Sequence, residues 1–249
     1  MIVEDFTMLG TTVPEPTKSD GRVFVCSAGI SPELGLIRIY PLAKRNIPHR
    51  WSTYRVPLER NEKDSRKESW KIRGDRSEDA HEHINSAFEE VGKMRRTERK
   101  PILSKYVVDS IQEANERKLS LAILQPKIGG LDFEHNPESP DSPMLKLFDL
   151  PEQRPVEGAK RFPFIPRLHF KDEGGPHHLM IRDWGCYEWM RKHPDRYGEL
   201  AQCLPLSDDS SLLIGNFNRH RNSWLIISVL SGIRESEPTL FDFRPRIPT

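Results

Sequence analysis

The side chains best placed for chemistry lie in two blocks near the C-terminal end. One reads His177-His178-Leu-Met-Ile-Arg182-Asp183-Trp184 and the other Leu213-Ile-Gly-Asn-Phe-Asn-Arg219-His220-Arg221-Asn-Ser-Trp224. The second block reads as two apolar strands joined by a loop with Arg219, His220 and Arg221 at its tip. Three potential cations presented together on a rigid frame suit the capture of an anion. In the first block, His178 and Asp183, with Glu188 just beyond, could supply the two or three ligands with which a metal-dependent nuclease holds a divalent ion. The simpler role for Asp183 is to cap a helix starting at Trp184.

Other chemistries lack their signatures. Five of the nine histidines (His169, His177, His178, His193 and His220) fall in the last third, but no pair has the spacing of ligands on one helix face. Cys26, Cys186 and Cys203 form no CxxC knuckle, so no metal site and no cofactor is expected. There is no Gly-x-Ser-x-Gly, no cysteine beside a histidine, and no Walker or dinucleotide loop. A non-catalytic role is expected ahead of an enzymatic one.

What remains is a mixture of cations and flat rings on expected strands: Arg38 and Tyr40, then Trp51, Tyr54 and Arg55, then Trp70, Lys71 and Arg73. Single-stranded nucleic acids are held in this way, with cations tracking phosphate and aromatic faces stacking bases. Residues 38–73 carry eleven cations against four carboxylates, a net +7, although the chain as a whole has a net charge of only +1. The competing role for Trp51, Tyr54 and Trp70 is in a barrel core or at its rim. The preferred reading is a nucleic-acid-binding protein or complex subunit. Arg38, Arg55, Lys71, Arg73, Arg219 and Arg221 would contact phosphate, with His220 beside them and Tyr40 or Tyr54 stacking. DNA or RNA is the expected partner, with other protein subunits beside it. A nuclease built on His178, Asp183 and Glu188, or a protein–protein adaptor, is the alternative.

The elements that must position these residues follow from periodicity and turn signals. Residues 22–30 form a nearly continuous apolar run, and 36–40 a second, with Gly35 between them: a hairpin. Residues 54–58 and 69–73 read as strands flanking the charged loop 61–67. A helix is expected from residue 77 through Ile84, Phe88 and Val91, broken at Pro101, and another over 104–118. Residues 119–125 return to strand. The Gly-, Pro- and acid-rich stretch 129–159 reads as a linker or surface excursion with one strand at 144–148. Pro163 and Pro166 suggest an edge strand over 161–170, followed by a strand at 179–181, a helix after Asp183, and strands at 212–217 and 224–230. The fold class expected is α+β and β-rich, with two small barrel-like halves of the OB or PUA kind. The first half spans 1–128 with a helical insertion at about 77–118, and a linker at 129–142 leads to the second over 143–249. At 36% hydrophobic and 30% charged residues, much of the 249-residue chain faces water. No run approaches the roughly 18 apolar residues of a membrane helix. The start shows no export signal, so a cytoplasmic, reduced protein without membrane partners is expected.

Gly21-Arg22-Val23-x-Val25-Cys26-x-Ala28-Gly29-Ile30, followed by Ile37-Arg38-x-Tyr40-Pro41, resembles the opening of uncharacterised prokaryotic proteins with OB-like barrels, including the dual-OB group. Those begin with a GRC-x-AG strand and a W-I-R-P strand. His178-Leu-x-Ile181-x-Asp183-Trp184 and Gly215-x-x-x-Arg219-x-x-x-x-Trp224-x-Ile226 resemble the second half of such proteins. The resemblance implies nucleic-acid binding in a mobile-element, DNA-modification or defence setting. Leu36 stands where that group has Trp, and Asp172-Glu173 stands where it has a cysteine pair, so no cysteine-held metal is carried over.

Overall fold

A computed structural model of the chain describes residues 1–17, 21–74, 83–139, 158–204, 206–207 and 210–230. The expected strand at 144–148 and the expected helix start at 77 lie outside them.

The first part is a β-barrel. Its strands are β1 (Ile2–Thr11), the short β2 (Glu15–Pro16), β3 (Val23–Ser31), β4 (Gly35–Ala43), β5 (Ser52–Arg60) and β6 (Ser69–Ile72), with β7 (Glu89–Lys93) added outside on β5. The hydrogen-bonded order β1-β3-β4-β6-β5 returns to β1 through the β1–β5 pairing, so five strands close a ring. All pairings in the ring are antiparallel except β4–β6. That is the strand order of an OB barrel, with β3 and β4 as its second and third strands. The expected hairpin is β3–β4: Ile30 pairs with Leu36, and Gly35 turns with φ +74°. Alternation sorts the residues, with Val25, Ile37 and Ile39 filling the barrel alongside Phe6, Met8, Tyr54 and Leu58.

The second part holds two sheets. After β7 come α1 (Arg96–Leu103), β8 (Val107–Val108), α2 (Ile111–Glu116), β9 (Leu121–Leu124) and β10 (Lys127–His135). Then follow β11 (Phe164–Asp172), β12 (Gly175–Met180), α3 (Trp184–Lys192), α4 (Leu200–Cys203), β13 (Ser211–Asn216) and β14 (Trp224–Leu230). One sheet runs β10-β11-β12 and the other β14-β13-β9-β8, and a parallel bridge from Ile181 to Ile226 joins them. Among the described residues only the first part closes a hydrogen-bonded ring. The molecule is β-rich with few helices, as its alternating patterns require.

The apolar runs of the second sheet are explained by burial on both faces. Ala122, Leu124, Leu212, Ile214 and Ile226 face a core shared with Tyr187, Met190 and Phe170. Leu121, Ile123, Leu213, Leu225 and Ile227 face the outside of the barrel, against Leu9, Ala28, Ile30 and Leu36. Gly10 marks how closely barrel and sheet approach: a Cβ there would lie 2.5 Å from Cβ of Ser228.

Several local expectations change. Ile84, Phe88 and Val91 are spaced for a helix, but the chain makes a 3-10 turn (Ile84–Ala87) and then β7, because β5 offers β7 a strand partner. Pro101 lies inside α1 rather than ending a helix, and 104–118 is split into a 3-10 turn, β8 and α2. Residues 129–135 of the expected linker belong to β10, whose Ile128, Leu131 and Phe133 pack on the core, with a register shift between Ile128 and Gly130. β11 is the central strand of its sheet, not an edge. Pro166 is tolerated there because only its carbonyl is called on, by the N–H of Ile181 at 2.8 Å. The strand β9, placed by sequence in the first half, pairs with β13 in the second.

Candidate nucleic-acid interface

The hairpin β13–β14 forms as its two apolar runs require, and Arg219 and His220 are exposed at its tip. The structure brings this tip to the loop 61–68 between β5 and β6. Arg221 Nη2 donates to the Ser65 hydroxyl (2.9 Å), and Arg66 Nη1 donates to the carbonyl of Asn216 (2.6 Å). Arg66 is itself aimed by Asp64, whose Oδ1 accepts from Nε at 2.9 Å. Burial pushes the Asp64 carboxyl up, but the hydrogen bonds from Arg66 and Ser69 overcome it and hold the group below the ordinary carboxylate value. Lys63 and Lys67 on the same loop are exposed. Two basic loops far apart in sequence therefore make one rim.

Beside this rim a pocket of about 240 Å³ opens between barrel and second sheet. Its barrel wall is Thr12, Glu15, Phe24, Cys26, Arg38, Tyr40 and Arg66, and its other wall includes Arg182, Gly215, Asn216, Phe217 and Leu225. The barrel wall is drawn from the second and third OB strands and the two loops at their end, the surface on which OB barrels bind oligonucleotides. Tyr40 (37% exposed) and Phe217 (41%) are the large rings at its mouth. Phe24 meets Tyr40 edge-on at 6.0 Å, and Arg22 lies 5.7 Å over Phe24.

Arg38 is at the base and is 2% exposed. Its Nη2 donates to the carbonyl of Ser120 (3.0 Å) and Nη1 to the Ser120 hydroxyl (3.4 Å), while Glu68 accepts from the Ser120 N–H (3.1 Å) and hydroxyl (2.8 Å). Burial lowers the Arg38 pKa from its ordinary value and raises that of the neighbouring Cys26 thiol. A Cβ on Gly215 would come within 2.8 Å of Arg38 Nη2, so only glycine lets the guanidinium lie there. Arg38 is thus a strut between barrel and sheet and not a surface phosphate contact.

The other expected binding residues separate. Tyr54 is 4% exposed, with its hydroxyl accepting the N–H of His49 (2.7 Å), so it packs inside the barrel and cannot stack a base. Arg55 is held by Glu4 (2.9 Å) with Glu89 nearby (3.8 Å), and Lys71 by Glu59 (3.1 Å). Arg73 is exposed at the end of β6. Trp51 is buried beneath Arg99, and Trp70 lies beneath Arg60.

The alternative nuclease residues are not brought together. Asp183 caps α3 by accepting the N–H of Gly185 (2.8 Å) and binds Arg50 (2.6 Å), which also donates to the carbonyl of Val229 (3.2 Å). Glu188 pairs with Arg191 one turn on. His178 faces Asp132 and His169 on the three-stranded sheet. That trio escaped the sequence reading because Asp132 lay in the presumed linker. The one signal was the alternation Leu131-Asp132-Phe133-Glu134.

The class of protein is thus an OB-like barrel backed by a second, mostly β unit. A family described as "Domain of unknown function (DUF8758)" matches residues 4–105, the barrel with β7 and α1. No curated protein matches the chain. Among solved structures, that of the tetrameric p202 HIN2 is similar, with a TM-score of 0.29 and 8% identity over 91% of this chain and 88% of that one. A likeness of that degree leaves the fold to rest on the strand order itself. No helix among the described residues is long and apolar enough to cross a membrane.

Proposed function

We propose that the protein binds nucleic acid at the mouth of the barrel, without catalysing a reaction on it. The observation that carries this reading is the joining of the loops 61–68 and 217–223 into one basic rim beside the pocket holding Tyr40 and Phe217. Lys63, Lys67, Arg219 and Arg221 follow the phosphates, with His220 beside them and Arg73 further along the barrel. Tyr40 and Phe217 stack bases, which favours unpaired strands because a duplex hides its base faces. Arg38 and Arg55 support the frame, as does Lys71. The dual-OB resemblance adds a setting: a cytoplasmic component of a prokaryotic mobile-element, DNA-modification or defence system, working with further protein subunits.

The test is fluorescence anisotropy with labelled single- and double-stranded DNA and RNA at low and moderate salt, with and without Mg²⁺, each mixture then run on a gel. Salt-sensitive binding of intact single strands is expected. Reversing charge at both Arg219 and Arg221 should weaken binding across sequences and lower the salt slope by about 2. An unchanged slope removes the hairpin tip from the interface. Cleavage that needs Mg²⁺ would replace the binding reading with the nuclease one.

A further inference from the structure

The outer face of the β10-β11-β12 sheet carries a constellation that the nucleic-acid interface does not use. His169 and His178 are directly opposed in the β11–β12 register, and their rings stack at 3.9 Å between centroids with planes 8° apart. Both turn Nε2 toward one carboxylate on the third strand. His169 Nε2 lies 2.8 Å from Asp132 Oδ2, and His178 Nε2 lies 3.0 Å from Asp132 Oδ1. Asp132 is in register with Arg167 rather than with either histidine, so it reaches diagonally to meet them, and Arg167 turns instead to Glu134.

We propose that Asp132, His169 and His178 bind a divalent transition-metal ion, of the zinc, nickel or cobalt kind. Three donors, one from each of three strands, lie within 4.8 Å of one another. Ligands about 2.0–2.1 Å from a tetrahedral ion sit roughly 3.3 Å apart, near the present histidine–carboxylate contacts, and the two stacked rings would tilt from their parallel arrangement to aim both Nε2 lone pairs at it. Two imidazole nitrogens and one carboxylate suit these borderline ions, whereas Mg²⁺ and Ca²⁺ take oxygen cages. Each neutral imidazole offers its Nε2 lone pair in the tautomer that carries the proton on Nδ1, and binding replaces two hydrogen bonds with three coordinate bonds. The side chains are 41–49% exposed, so the remaining coordination positions face water and stay open. His177, one residue away, belongs to the other face: its Nε2 is 2.9 Å from the buried Asp172.

Metal content is measured after the whole chain is equilibrated with Zn²⁺, Ni²⁺ or Co²⁺ and passed through a desalting column. The absorption spectrum of the Co²⁺ form is recorded beside it. One retained equivalent is expected for the unaltered protein and for His177→Gln, and none for Asp132→Asn or for the double variant His169→Ala/His178→Ala. Circular dichroism checks that each variant is folded. The Co²⁺ form should show intense visible bands that Zn²⁺ abolishes, and Zn²⁺ should raise the thermal midpoint of the unaltered protein and of His177→Gln but not of the other variants. If the unaltered protein retains no metal, or if folded Asp132→Asn or His169→Ala/His178→Ala retains as much as it does, the proposal is overturned. Should a variant misfold, the displaceable Co²⁺ spectrum and the Zn²⁺-dependent midpoint of the unaltered protein decide in its place.

Discussion

Three cations on the barrel strands and three on the loops of the rim have opposite fates. Arg38, Arg55 and Lys71 project from β4, β5 and β6, and each meets protein: Arg38 is bonded to Ser120, Arg55 to Glu4 and Lys71 to Glu59. Lys63, Lys67 and Arg219 lie on loops and face water, within one rim. A strand fixes where its side chains emerge, so a neighbouring strand can supply a carboxylate in register. A loop tip has no such strand beside it, and within the rim Arg66 and Arg221 find their partners on the loops themselves. A basic sequence segment therefore says little about binding until each charge is assigned to a strand or a loop.

The comparison can be broken most sharply at Arg38. Arg38→Ala should lower stability by about 2–4 kcal/mol in denaturant unfolding, because the Ser120 carbonyl and hydroxyl lose their donor and a cavity is left in the junction. A loss below about 1 kcal/mol would mean the junction does not need it. The rim should show the reverse pattern. Phe217→Ala and Tyr40→Ala should each weaken single-strand binding by about 1–3 kcal/mol in anisotropy titrations while leaving the unfolding midpoint nearly unchanged. Smaller still, Arg55→Ala should cost less than about 1 kcal/mol of stability, as exposed ion pairs do, and leave the salt dependence of binding as it was. A slope that falls with Arg55→Ala would move the interface onto the barrel wall.

The acid behaviour of Asp64 sharpens the loop side. Its folded pKa is depressed, so its contribution is present above the unfolded carboxylate value and is lost as pH falls through the folded one. Thermal midpoints followed downward from pH 5 should therefore drop less steeply for Asp64→Asn than for the unaltered chain. Identical profiles would mean that the carboxylate does not aim Arg66.

The strands were legible where alternation or a turn residue marked them, as in the β3–β4 hairpin with Gly35 and the β13–β14 hairpin with its basic tip. The run at β9 announced burial but not its partner, since nothing in Leu-Ala-Ile-Leu names a strand from Ser211 to Asn216. Helical spacing at Ile84, Phe88 and Val91 misled because pairing with β5 outweighed local preference. Of the candidate site, the exposed positions of the hairpin tip and of Tyr40 could be read directly. That Lys63 and Lys67 join them could not, because the contact of Arg221 with Ser65 belongs to tertiary structure. Arg38 looked like a surface residue because alternation gives two faces without saying whether a second sheet covers one of them, and Tyr54 did because alternation does not say which face turns into the barrel.

The position of β9 also bears on how the chain matures. As it leaves the ribosome, the barrel can close while β9 still lacks the partner that arrives only with β13. Until then Leu121 through Leu124 present an unpaired edge with apolar groups on both sides, a surface prone to joining another nascent copy. Long-range pairing of this kind slows folding. The interval before β13 emerges is thus when the chain has most need of a chaperone.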